Sequence, residues 1–64
     1  MTETPDATMT LITTIPQIDG RTREIYAQDA RHARRAREIL RRDPAMIDVL
    51  HRVDGIQVLV LETR

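Results

Sequence analysis

The stretch AMIDVLHRVDG, residues 45–55, decides the fold, because its apolar residues fit two kinds of secondary structure. A helix would have Asp43 as its N-cap, Pro44 at its first position and Gly55 just past its end. A strand would instead place alternate residues on one face: Ile47, Val49, His51 and Val53.

The strand interpretation pairs this stretch with the segment IQVLVLE, residues 56–62, across a hairpin turn at Asp54-Gly55. The residues opposite each other then form one apolar face: Val53 with Ile56, His51 with Val58, and Val49 with Val60. We therefore favour the strand, and we expect Leu40 of the preceding helix to pack on that face.

Upstream, the segment ARHARRAREILRR, residues 30–42, predicts an amphipathic helix that begins after the N-cap Asp29. Its apolar side holds His32, Ala33, Ala36, Ile39 and Leu40. Its opposite side holds six arginines: Arg31, Arg34, Arg35, Arg37, Arg41 and Arg42.

Further upstream, residues 8–18 and 21–27 are rich in β-branched residues and predict two strands. Asp19-Gly20 between them predicts a two-residue type I′ turn. Pro16 predicts an edge position or a bulge, because it has no N–H to donate. Residues 1–7 are expected to be a flexible tail, and residues 8–64 a single domain.

The predicted fold is therefore α+β with the order ββαββ: two hairpins form one antiparallel sheet, and the helix covers one face. A helix over residues 45–53 would make the order βααβ instead. In the favoured register an apolar patch faces away from the helix, and such a patch is typical of an interface. It holds Leu50, Leu59 and Leu61, and Leu11 and Ile15 are further candidates for it.

A domain of 64 residues without cysteine has few means of stabilisation, and oligomerisation is one of them. We therefore predict a homodimer whose interface contains Leu50, Leu59 and Leu61.

The formal net charge is zero, but the charges are separated along the chain. Residues 29–43 carry six arginines against three acids, a sum of +3, and the other residues sum to −3. Arginine bonds carboxylates and phosphates through its planar fork of donors. The arginine side of the helix is therefore the candidate surface for a protein or nucleic-acid partner, beside the simpler interpretation that it only solvates the helix.

Several function classes are excluded or disfavoured by the residue types present. The chain has no Ser, Cys or Lys, so the usual serine, cysteine and Schiff-base nucleophiles are missing. The spacing of its two histidines, His32 and His51, indicates no metal site. We predict no catalytic residues, no cofactor and no enzyme activity. The acidic N-terminus and the short apolar run VLVL favour a cytoplasmic protein without a membrane partner.

The segments YAQDARHARRAR and VDGIQVLV together resemble small phage-encoded proteins, among them the anti-CRISPR proteins directed at type I surveillance complexes. That resemblance implies a small sheet with one helix that binds a protein surface, and no functional residue is carried over. The strand and helix also resemble the arm-type DNA-binding domains of phage integrases, which have three strands before the helix.

The sequence therefore predicts a small non-enzymatic protein-binding module, such as a phage or mobile-element accessory or inhibitor protein. The first alternative is a nucleic-acid-binding regulator that uses the arginines of residues 30–42. The second alternative is a phage structural or assembly protein.

Overall fold

The computed structural model describes residues 9–63 and contains one antiparallel sheet with one α-helix. The elements are β1 (Thr10–Pro16), β2 (Thr22–Ala27), α1 (Ala30–Arg42), two 3₁₀ helices (Pro44–Asp48 and Leu50–Arg52) and β3 (Val58–Thr63). The strand order is β1-β2-β3. The predicted α+β class is confirmed, and the predicted ββαββ order is wrong. The predicted tail over residues 1–7 lies outside the described residues.

The first hairpin forms where it was predicted, but its turn is of another kind. Gln17 N donates to Arg21 O at 2.7 Å, which leaves three residues in the loop. Gly20 has a φ of +88°, whereas Asp19 is not among the residues with positive φ. A type I′ turn needs positive φ at both central positions, so that prediction is wrong.

The irregularity in this hairpin is a β-bulge, and it lies at the start of β1. Leu11 pairs with Tyr26 and Thr13 with Ile25, so Ile12 is the extra residue. Ile12 is only 5% exposed, which shows that the bulge turns it into the core. Pro16 pairs at the far end of β1, which is an edge strand as Pro16 indicated.

Residues 45–53 form the two 3₁₀ helices, so the predicted second hairpin is wrong. Asp43 caps the first of them by accepting the Ala45 N–H at 3.2 Å, and Pro44 follows the cap as the helical alternative required. Hydrogen bonds of the 3₁₀ type then run along the segment, from Val49 N to Met46 O and from Val53 N to Leu50 O.

The Asp54-Gly55 turn does form, but it joins the second 3₁₀ helix to β3. Asp54 and Gly55 have φ values of +47° and +69°, and Ile56 N donates to Val53 O at 2.9 Å. β3 therefore pairs with β2, with Val60 opposite Ile25 and Val58 opposite Ala27.

The core lies between the sheet and the layer formed by α1 and the 3₁₀ helices. Ala33 and Ala36 are fully buried and Leu40 packs at the edge of the core, which confirms the predicted inner side of the helix. Val60 is 46% exposed, contrary to prediction. The buried residues are Ile12, Ile25, Ala27, Ala33, Ala36, Leu50 and Ile56.

Leu50 is buried, which corrects its predicted place at a dimer interface. It has no exposed surface, because the 3₁₀ path turns it into the core. Ile15 also packs against the core, on the helix side of the sheet. Only Leu59 and Leu61 of the predicted interface residues remain on the open face of the sheet, together with Leu11.

Candidate binding surface on the arginine helix

The start of α1 is held by Asp29, as predicted. Its Oδ1 accepts the backbone N–H of His32 at 2.8 Å and lies 2.7 Å from His32 Nδ1. The backbone hydrogen bond from His32, and next the side-chain hydrogen bond, lower the pKa of Asp29 below its usual value. This cap sets where the helix begins and so which residues point outward.

The six arginines of α1 are all exposed, as the helical pattern predicts. Two of them bond to the rest of the fold. Arg35 Nε donates to Asp54 Oδ2 at 3.0 Å, and Arg35 Nη1 lies 3.7 Å from Glu38 Oε2. Arg37 Nη1 donates to Leu11 O at 2.9 Å. The charge of Arg35 is thus balanced by acids, whereas Arg37 serves to tie α1 to β1.

The side chains of the other four arginines have no hydrogen bond or ion pair with any residue in the range 9–63. They are Arg31, Arg34, Arg41 and Arg42. We call them, together with Glu38, the arginine face. Glu38 is exposed and lies three or four residues from three of them, so the helix repeat places it near the middle. At a rise of about 1.5 Å per residue the face is about 16 Å long.

Glu38 lines several shallow hollows on this surface. One is lined by Arg31, His32, Arg34, Arg35, Glu38 and Asp54. A second is lined by Arg35, Glu38, Ile39, Arg42, Asp43 and Met46. Another is lined by Glu38, Arg41 and Arg42. Each hollow contains both arginines and acids, so the surface presents mixed charge with an excess of guanidinium groups.

Sequence reasoning missed the part that Gln28 plays beside this surface. Its Nε2 donates to Gly55 O at 2.9 Å and its Oε1 accepts the Gln57 N–H at 2.9 Å. Gln28 therefore ties the turn before β3 to the start of α1 and holds Asp54 within reach of Arg35. A glutamine before an N-cap gives no signal of such a role.

A second charged group lies at the far end of the sheet, where it was not predicted. Glu62 of β3 accepts from Arg23 Nη2 at 3.0 Å and lies 3.7 Å from Arg21 Nη1. Arg21 also pairs with Asp19. These acids and arginines neutralise each other, so the excess positive charge stays on α1.

The open face of the sheet carries an apolar row made of Leu11, Tyr26 and Leu59, one residue from each strand. Leu61 lies on the same face, opposite Glu24. Tyr26 is therefore on the side of the sheet away from the arginine face.

Within residues 9–63 no group of three or more His, Asp or Glu side chains is placed to hold a metal ion. No helix in that part of the chain is long and apolar enough to cross a membrane. Comparison with protein-family models, with curated proteins and with solved structures finds no match.

Proposed function

We propose that this chain is a small non-enzymatic module that binds an acidic surface of a protein partner through the arginine face of α1. The observation that carries the proposal is that Arg31, Arg34, Arg41 and Arg42 are exposed and unbonded within the described residues. A guanidinium group that has no partner in its own fold keeps all its donors for a carboxylate.

The mixed charge of the surface favours a protein partner over a nucleic acid. Glu38 lies among the free arginines, and a carboxylate in that place would repel a phosphate backbone. Asp54 and Asp43 each border one of the hollows beside Glu38. A protein surface can offer a basic group to Glu38 and acids to its neighbours, whereas a nucleic acid offers negative charge throughout.

Two further features support a protein partner. The formal net charge is zero, which gives no long-range attraction to a polyanion. Tyr26, the chain's one Phe, Tyr or Trp residue, lies on the open sheet face, so it offers no ring for base stacking beside the arginines.

The resemblance to small phage inhibitors suggests a context for this activity, namely a phage or mobile-element accessory protein acting in the cytoplasm. In that context an inhibitor works by occupying a surface of its target. The arginine face then suits an acidic part of that target and not a basic nucleic-acid channel.

The experiment compares two charge-reversal variants with the wild-type chain. The first is R34E/R41E/R42E, which reverses three residues of the arginine face. The matched control is Arg52→Glu, which reverses an exposed arginine outside α1. Each tagged chain is used to capture partners from the cells that carry its gene, after nuclease digestion, and is also titrated with a short labelled DNA duplex at physiological salt.

We expect the wild type and Arg52→Glu to enrich the same protein after nuclease digestion. The triple variant should lose it at least about tenfold, since three lost ion contacts at about 0.5 kcal/mol or more each exceed the roughly 1.4 kcal/mol of a tenfold change. Duplex binding that the triple variant abolishes, with no protein captured, would overturn the proposal in favour of the nucleic-acid alternative. Capture that is equal for all three chains would also overturn it.

A further inference from the structure

We propose that two copies of this chain pair through the free edge of β3 to form one continuous six-stranded antiparallel sheet. This inference does not rest on the proposed function. It comes from the hydrogen-bonding groups, the side chains and the register of β3.

The backbone groups that β3 turns outward can be identified from the hairpin. Gln17 N donates to Arg21 O, so the backbone groups of Arg21 point toward β1. Backbone groups point in alternate directions along a strand, so the N–H and C=O groups of Thr22, Glu24 and Tyr26 point toward β3. The β3 residues opposite these three turn their own N–H and C=O groups back toward β2. They are Thr63, Leu61 and Leu59. The remaining residues of β3 therefore turn their N–H and C=O groups to the free edge: Val58, Val60 and Glu62.

β1, the other edge of the sheet, is protected against such pairing. The bulge between Leu11 and Thr13 breaks its regular ladder. Arg37 Nη1 already occupies the outward carbonyl of Leu11. Pro16 removes one donor. Bulges, prolines and charged side chains are the usual means by which edge strands avoid pairing. Within residues 9–63, β3 has no bulge, no proline and no side chain bonded to its outward groups, and its one charged residue, Glu62, is paired with Arg23 of β2.

The first four residues of β3 are apolar, so apolar side chains lie on both faces of the strand. Val58 and Val60 lie on the helix side, and Leu59 and Leu61 lie on the open side. Two-sided apolar strands are typical of the interior of a sheet, where both faces are covered. α1 packs on β1 and β2, however, and leaves Val60 46% exposed. β3 thus has the composition of a central strand in the position of an edge strand.

A second copy of β3 fits this edge because the strand is self-complementary in the register centred on Val60. With a two-fold axis at Val60, the Val60 residues of the two copies face each other and exchange both backbone hydrogen bonds. Leu59 then faces Leu61 of the second copy, and Val58 faces Glu62 of the second copy. A shift of two residues along the partner strand, either way, sets Leu61 opposite Gln57 or Val60 opposite Glu62. The shift that sets Leu61 opposite Gln57 has as many apolar pairs, Leu59 with Leu59 and Val58 with Val60, but it leaves Glu62 opposite Ile56, outside β3. Only the register centred on Val60 pairs the three outward-turned residues of each β3 with one another.

This arrangement has a clear geometric consequence. A two-fold axis perpendicular to the sheet leaves both copies of α1 on the same side. The two arginine faces then point the same way, while the four leucines at the seam form a patch on the open side.

The test is the mass of the full chain in solution, measured by light scattering or sedimentation over a range of concentrations. We expect twice the chain mass of 7.4 kDa for the wild type. Val60→Pro removes an outward N–H that β2 does not use, so we expect a folded monomer. The matched control Val60→Thr keeps that N–H and should stay dimeric. A monomeric wild type would overturn the proposal, and so would a dimer that persists in Val60→Pro, since the sheets would then associate by their faces.

The register has its own measurement, which does not depend on how Val60→Pro folds. The chain has no cysteine, so Leu59→Cys and Leu61→Cys chains can be prepared separately and mixed under mild oxidation. We expect the mixture to form the disulfide-linked dimer faster than either chain alone. Equal rates for the mixture and the separate chains would contradict the register centred on Val60.

Discussion

Arg35 of α1 and Asp54 of the turn before β3 are joined by a hydrogen bond of 3.0 Å from Nε to Oδ2. The bond links two segments that are 19 residues apart in the chain. It also pairs the charge of Arg35 with an acid of the same chain. Arg34, its neighbour in the chain, has no such bond with any described residue. Two adjacent arginines of the same helix therefore have different parts in this protein.

This difference predicts how glutamine substitutions divide between stability and binding. Arg35→Gln should lower the free energy of unfolding by less than about 1 kcal/mol, because the ion pair is half exposed. Arg34→Gln should leave stability unchanged and weaken partner binding more than Arg35→Gln does. Urea titration and partner affinity, measured on both variants, check this. Equal effects of the two substitutions on binding would show that Arg35 is as free as Arg34.

Leu50→Ala should be strongly destabilising, by about 2–5 kcal/mol, because Leu50 is fully buried. Leu40→Ala should cost less, since Leu40 lies at the edge of the core and is only partly buried. Chemical denaturation of both variants gives the comparison. A smaller loss at Leu50 than at Leu40 would contradict the 3₁₀ path that turns Leu50 inward.

The N-cap Asp29 should make the stability of the folded chain depend on pH. Its pKa is lowered in the folded chain, so its contribution to stability is present above the unfolded pKa, near 3.8, and is lost as pH falls through the folded value. Asp29→Ala should therefore lower the melting temperature at neutral pH, and the difference from the wild type should shrink below pH 3.8. Asp29→Ser is the matched control, because it can accept the His32 N–H without a titrating group. A melting-temperature difference that stays constant from neutral pH to below pH 3.8 would contradict the conclusion that the Asp29 carboxylate caps α1.

Gly55→Ala should destabilise the turn before β3 through its backbone alone. The φ of +69° is strained for a residue with a side chain, yet an added Cβ would meet no atom within 4 Å. We expect a loss of about 1–2 kcal/mol in a denaturant titration. No loss at all would mean that the turn relaxes to a negative φ without cost.

Much of the fold follows from local signals in the sequence. The helix over residues 30–42 has the predicted bounds, because Asp29 and Pro44 mark its ends and one side is apolar throughout. The first hairpin also follows from its β-branched residues and Asp19-Gly20. The position of the bulge could not be predicted, because it depends on which of Leu11, Ile12 and Thr13 the core can accept.

The error over residues 45–53 has a physical cause. Ile47, Leu50 and Val53 are spaced by three, which fits the 3₁₀ repeat, while Ile47, Val49 and Val53 fit a strand equally well. Local pattern does not show that β3 finds its partner in β2, which is distant in the chain. Because β3 pairs with β2 and not with residues 45–53, those residues cover the end of the core as 3₁₀ helices.

The candidate surface was predictable in its residues but not in its bonds. The helix repeat alone places all six arginines outside. Which of them are free depends on Asp54 and on the carbonyl of Leu11, both brought to α1 by tertiary structure. The sequence could not separate these bonded arginines from the free ones.

The most direct test of the proposed function is to map the bound partner on the isotope-labelled chain by NMR. The account predicts that amide shifts change along residues 30–42 and in the adjoining turn at Asp54. It also predicts that Leu11, Tyr26 and Leu59, on the open face of the sheet, keep their shifts. Changes centred on those three residues, with α1 unaffected, would contradict the claim that the arginine face is the binding surface.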